Sequence, residues 1–339
     1  MRAGARATRR TTLGLMAATA VAGCARADEV RYFHIGTGGP QGTYFPIGGI
    51  IAGAISNPPG SRACDEGGSC GVPGLLATAQ SSNGSVDNVN AIGEGRIESG
   101  FSQADVAFWA LNGTSMFAEN GAIANLRAIA RLYRESVHLV ARAEAGIARI
   151  EDLAGKRVAL GEEGSGTLVD ARSILTAFGV GEASVEPVLL KPDKASTALI
   201  DGQIDAFFII AGYPTAAVRD LAETIAITLV PIAGAALDDL LRQQPFFTRD
   251  FVPFGVYHGV NTTETLSVAA LWLVAAEQDE ELVHGVTAVL WHDSTRRLLD
   301  EGHEKGKDIR LEFALQGVPV PLHPGAERYY REVGLLGAL

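Results

Sequence analysis

Basic charge is scarce in this chain, and so are cysteine and long apolar runs. Lys and Arg number 28 against 39 Asp and Glu, a formal net charge of −11 over 339 residues. The first 27 residues hold five Arg and no acid, so the remainder sits at −16. A surface this acidic excludes nucleic acid as an expected partner, because phosphate contact needs clustered Lys and Arg. After residue 27 no segment has eighteen uninterrupted apolar residues, so no transmembrane helix is predicted. The later histidines, His258, His284, His292, His303 and His323, have no metal-ligand spacing, so no metal is expected. There is no internal repeat and no low-complexity tail.

What is present begins with an export signal. Arg2, Arg6, Arg9 and Arg10 form a positive start, and Leu13 to Ala22 is an apolar stretch too short to span a bilayer. Arg9-Arg10 before Thr11-Thr12-Leu13 resembles a twin-arginine signal. Two processing sites compete. Ala25-Arg26-Ala27 fits cleavage to a soluble protein starting at Asp28. Val21-Ala22-Gly23-Cys24 resembles a lipobox, which would anchor the protein through a lipid on Cys24. Either outcome places the protein outside the cytoplasm. Cys64 and Cys70 are then left as a pair in an oxidising compartment, and a disulfide closing a short surface loop is expected. The residues beyond the signal suffice for two domains.

Short apolar runs alternate with helix-like segments, which predicts an α/β fold with a largely parallel sheet. Strands are expected at 31–35, 99–101, 106–109, 126–132, 137–142, 157–160, 184–189, 206–210 and 226–230. Helices are expected at 46–56, 85–94, 150–153, 168–178, 195–201 and 214–223, with one long amphipathic helix over 280–299. Residues 57–82, with Pro58-Pro59-Gly60 and the two Cys, read as a long irregular loop.

Two glycine-rich turns follow strands and precede helices. One is Gly36-Thr37-Gly38-Gly39-Pro40-Gln41-Gly42-Thr43-Tyr44, the other Gly161-Glu162-Glu163-Gly164-Ser165-Gly166-Thr167. Bare backbone N–H groups at a helix start bind anions. The first turn does not fit the dinucleotide fingerprint: its third glycine comes one residue late, and no acidic residue ends a second strand about 20 residues on. No cofactor is therefore expected. Two such turns, one per domain, would face each other across a cleft.

The chain resembles the TAXI family of extracytoplasmic solute-binding proteins, the capture subunits of TRAP transporters. The matching stretches are Ile35–Gly39 with Gly42–Gly49, Ser82–Ile92, Ser102–Val106, Glu135–Val140, Asp152–Val158, Gly164–Thr167 and Ala211–Pro214. They cover most of residues 31–215 in the expected order. The resemblance implies a two-lobed type II periplasmic-binding fold with the ligand between the lobes. Lobe 1 would comprise residues 28–138 plus 266–339, and lobe 2 residues 139–265. The crossovers would be Val137 to Arg142 and a return near Thr265 to Val274. It further implies a monomeric receptor for a small anionic solute, in the class of glutamate, glutamine or a related carboxylate, with a TRAP-type permease as partner. An exported sensor input for a two-component system is the alternative.

The residues expected to bind ligand are Thr37, Gly38, Gly39, Thr43 and Tyr44 of the first turn, Ser165, Gly166 and Thr167 of the second, and Asn83, Ser85, Gln103 and Tyr213. Asn83 and Ser85 could equally cap a helix. Tyr213 follows an apolar run at a strand end, where ligands collect in open α/β sheets; packing at a hinge is the competing role. Whether Asp105, Glu135 or Glu162 points inward is left open. His138 is expected to be structural. No catalytic residue is expected. Gly67-Gly68-Ser69-Cys70-Gly71 has the G-x-S-x-G form but lacks its strand–turn–helix context, and no His is tied to Ser165.

Overall fold

The computed structural model describes residue 1 and residues 30–337. The arginines of the signal, both processing sites, Cys24 and Asp28 lie outside the described residues. In the first half, β1 (Arg31–Gly36) leads through the first glycine turn into α1 (Tyr44–Ile55). Two short strands, β2 (Ser56–Asn57) and β3 (Val72–Pro73), pair at the base of the loop that carries the Cys64–Cys70 disulfide. Next come β4 (Leu75–Gln80), α2 (Ser85–Gly93), β5 (Ser99–Gln103) and α3 (Ala104–Asn112).

The long strand β6 (Leu126–Arg142) crosses to the second half. That half holds β7 (Arg157–Ala159), α4 (Gly166–Ala177), β8 (Glu186–Val188), α5 (Pro192–Ile200) and β9 (Ala206–Ala211). It continues with α6 (Ala216–Ala222), β10 (Ile227–Leu229), α7 (Ala235–Gln243) and β11 (Thr248–Val252). The return strand is β12 (Thr263–Ala275). Then α8 (Glu280–Leu290), α9 (Asp293–Gly302) and α10 (Pro324–Glu332) finish against the first half.

The two halves repeat one strand order. The first reads β4-β1-β5-β12-β6, and the second reads β8-β7-β9-β6-β10. In each, three parallel strands are followed by an antiparallel crossover strand. This repeat, joined by two crossovers, is the two-lobed type II periplasmic-binding fold. Ser136 marks the junction: β6 pairs with β12 up to Ser136–Ser267 and with β9 from Ser136–Ala211 onward. Apolar side chains fill both faces of the sheet. One cluster runs under both halves, and two others pack the opposite faces, one in each half. Among the described residues no helix is long and apolar enough to cross a membrane.

Several expected elements differ. Val106 to Trp109 is helical, part of α3, where Val106, Ala107 and Ala110 form one buried face. A four-residue apolar run carries no period that separates strand from helix. The strands expected at 126–132 and 137–142 are one strand, and the polar residues that interrupt the pattern, Arg134 and Glu135, lie where the halves meet. Residues 57–82 are not one loop, because β4 lies within them and buries Leu75 and Ala77. The long helix over 280–299 is two helices. His292 breaks it by capping α9, its Nδ1 accepting from Ser294 N–H at 3.2 Å.

Candidate functional site

Three helices start at one cavity. Turn 37–43 delivers the N-terminus of α1, turn 81–84 that of α2, and turn 161–165 that of α4. Each start presents N–H groups and the positive end of a helix dipole. Gly84 precedes α2 at φ 111°, a conformation that favours glycine. Ser165 caps α4, its Oγ accepting from Leu168 N–H at 3.1 Å. The cavity between these turns measures about 60 Å³. That is small beside the ~300 Å³ or more of a drug-sized site.

The polar groups inside are acceptors or neutral. Glu135, on β6, is 2% exposed and accepts from the Tyr44 hydroxyl at 2.7 Å. Burial pushes its carboxyl up to about 8; the Tyr44 bond opposes that shift and the charge of Asp105 adds to it. Glu162, on the second turn, is pushed up to about 7, again chiefly by burial. Burial raises the Tyr44 phenol too, and the Glu135 charge raises it further. Ser85 Oγ accepts from Gln103 N–H at 3.1 Å and lies 3.5 Å from the Tyr44 hydroxyl. Among the described residues that line the cavity, two are acidic and none is Lys, Arg or His.

The two halves are in contact around the cavity. Thr43 Oγ1 donates to Gly212 O at 2.6 Å, and Thr215 Oγ1 to Gln41 O at 2.8 Å. Asp87 N–H donates to Gly164 O at 3.0 Å, and Gln103 Nε2 to Asp170 Oδ2 at 3.2 Å. Gly166 makes this approach possible. A Cβ there would lie 1.5 Å from Gln103 Oε1 and 2.8 Å from Ser85 Oγ. The arrangement is a closed one.

Of the residues expected to bind ligand, Gly38, Gly39, Thr43, Tyr44, Asn83, Ser85, Gln103, Ser165, Gly166 and Thr167 line the cavity together. Thr37 and Tyr213 do not. Thr37 is wholly buried and turns its hydroxyl back to Gln80 O at 2.6 Å, tying the turn to β4. Tyr213 packs under the Lys305 ammonium, 3.9 Å from its ring centre, at a cis Tyr213–Pro214 bond between the halves. Glu135 and Glu162 point into the cavity, as do Pro192 and Ile209 to Ala211, which the sequence reading did not select. Asp105 does not line it; it is buried behind Gln103. An acid inside a strand otherwise buried along its length is the signal that could have singled out Glu135.

His138 is structural. Its Nδ1 donates to Ser136 O at 2.9 Å and its Nε2 accepts from the Tyr257 hydroxyl at 3.0 Å, while burial lowers it to about 4. Ser69 is held within the disulfide loop, its Oγ bonded to Ser56 O and Gly71 N–H.

A family model described as the NMT1-like family matches residues 35–334. Solved structures are similar at low identity. The periplasmic aliphatic sulphonate binding protein SsuA of Escherichia coli is 13% identical, covering 88% of this chain and 78% of its own, with a TM-score of 0.43. The alkanesulfonate-binding protein SsuA of Xanthomonas axonopodis pv. citri, bound to MOPS, is 14% identical, covering 89% and 84%, with a TM-score of 0.41. A periplasmic binding protein of Brucella ovis with glutathione bound is 12% identical, covering 76% and 66%, with a TM-score of 0.43. At these scores the likeness carries no argument about ligand.

Proposed function

This chain belongs to the NMT1-like family, and from that premise we propose that it is an extracytoplasmic solute receptor for a small amino acid. The observation that carries the ligand class is a cavity where three helix starts meet one buried acid, Glu135, one half-buried acid, Glu162, and, among the described residues, no basic side chain. A ligand carboxylate would sit at the helix starts, where hydrogen bonds to a charged group contribute about 1.5–3 kcal/mol each. A ligand ammonium would sit at Glu135 or Glu162 and supply the positive charge that the protein lacks there. Four or five such bonds offset closure costs and reach micromolar affinity, about 8 kcal/mol. A plain dicarboxylate would bring Glu135 no cation, and Glu135 would keep its proton.

The two lobes, 28–138 with 266–339 and 139–265, close on the ligand, and the closed form docks on a membrane permease. The TAXI-like stretches in the first two thirds of the chain support a TRAP-type permease as that partner. Among the described residues that line the cavity none is Cys, His or Lys, and no enzymatic role is proposed. Native mass spectrometry of protein purified from exporting cells tests the reading. A bound small amino acid released unchanged on denaturation supports it. A bound compound without an amine, or product accumulating from the bound compound, overturns it.

A further inference from the structure

The Asp105 and Asp170 carboxyls lie within hydrogen-bonding reach of each other where the two halves touch, away from water. Asp105 is in the first turn of α3 and Asp170 is in α4, and both are wholly buried. Asp105 Oδ1 accepts from Val106 N–H at 2.8 Å, and Asp170 Oδ2 accepts from Gln103 Nε2 at 3.2 Å. Their other oxygens, Asp105 Oδ2 and Asp170 Oδ1, have no such partner among the described residues. The remaining charged group that bears on the pair is also acidic. It is Glu135 of β6, to which Tyr44 of α1 donates. Gln103 of β5 is neutral. Two neighbouring buried carboxyls cannot both ionise. One proton held between the two orphan oxygens satisfies both.

We propose that Asp105 and Asp170 form a proton-binding site that exists only while the lobes are closed, so that closure takes up a proton from solvent. The inference rests on the opening and closing proposed above. When the lobes part, each carboxyl regains water and ionises as an ordinary Asp. The closed state then binds one more proton than the open state. The ratio of closed to open therefore falls as pH rises, by up to about tenfold per pH unit above the ordinary Asp range. Gln103 links this site to the cavity. By donating to Asp170 it turns Oε1, an acceptor, toward Ser85 and Gly166.

Small-angle X-ray scattering of the ligand-free protein between pH 5 and 9 tests the proposal. The parent is compared with Asp170→Asn and Asp105→Asn. An amide at either position supplies a permanent hydrogen, so the contact no longer needs a proton. Closure also buries Glu135 and Glu162, so the difference between parent and variant reports the pair. The parent is expected to expand as pH rises. Each variant is expected to lose up to about tenfold per pH unit of that dependence and to stay more compact than the parent at pH 8. Superimposable profiles, or a parent indifferent to pH, overturn the proposal. Two variants keep the test decisive if one fails to fold. Ligand binding measured at a single pH fails or succeeds independently of this result, so the receptor reading and the proton site are separable.

Discussion

The Tyr44 hydroxyl donates to Glu135 Oε2 at 2.7 Å. That bond joins the first turn of α1 to the crossover strand, 91 residues away. It holds a buried carboxyl at the wall of the cavity, where no Lys, Arg or His among the described residues meets it. The ligand preference follows from that geometry.

Glu135→Gln is expected to weaken binding of L-glutamate or L-glutamine by about 10- to 100-fold, the loss of one hydrogen bond to a charged group. Binding of 2-oxoglutarate should change little, since it brings no ammonium. Isothermal titration of both compounds against parent and variant checks this. Equal losses for both would remove Glu135 from ammonium recognition.

A second consequence concerns pH. In the closed, empty cavity Glu135 is raised to about 8, so below that pH it carries a proton when nothing cationic faces it. An ammonium replaces that proton; a keto acid does not. Affinity for 2-oxoglutarate should therefore fall more steeply between pH 5 and 8 than affinity for glutamate, by up to about tenfold per pH unit. Parallel slopes in titrations at pH 5, 6, 7 and 8 would contradict this.

Gly166→Ala separates closure from folding. Its methyl group would overlap Gln103 Oε1 only when the lobes are together. The expected result is a near-parental melting temperature without ligand and an affinity reduced by roughly 100-fold or more, about 3 kcal/mol. Parental affinity would show that the halves do not approach this closely in the bound state.

His138 gives a stability prediction with a definite sign. Its pKa is lowered to about 4 in the fold from an ordinary value of 6.5. The folded state thus binds fewer protons than the unfolded one, and stability is lost as pH falls from 6.5 toward 4, by up to about 3 kcal/mol. Urea midpoints across that range should drop in the parent, and His138→Gln should lack this part of the drop. Identical profiles would place the acid lability elsewhere.

The glycine turns and their helices were legible because bare backbone at a helix start leaves a local pattern. Nine of the residues lining the cavity lie in those two turns. Thr37 and Tyr213 lie off the cavity because neighbourhood in sequence does not set side-chain direction. Thr37 sits one residue from Gly38, yet its hydroxyl turns back to β4. Glu135 and Glu162 were visible as acids but not as inward-facing, since that depends on how two lobes meet. The meeting of Asp105 and Asp170 was beyond reach for the same reason: the two lie 65 positions apart and touch only across the interface.

The most direct test of the receptor reading is a thermal-shift panel on ligand-stripped protein with glutamate, glutamine, 2-oxoglutarate and C4–C6 dicarboxylates. A ligand that binds only the folded state raises the melting temperature by mass action. The expected result is a shift of several degrees with an amino acid and a smaller one, or none, with its keto acid or a plain dicarboxylate. A shift with the dicarboxylates alone, or with none of the compounds, would contradict the assignment of an ammonium-bearing ligand.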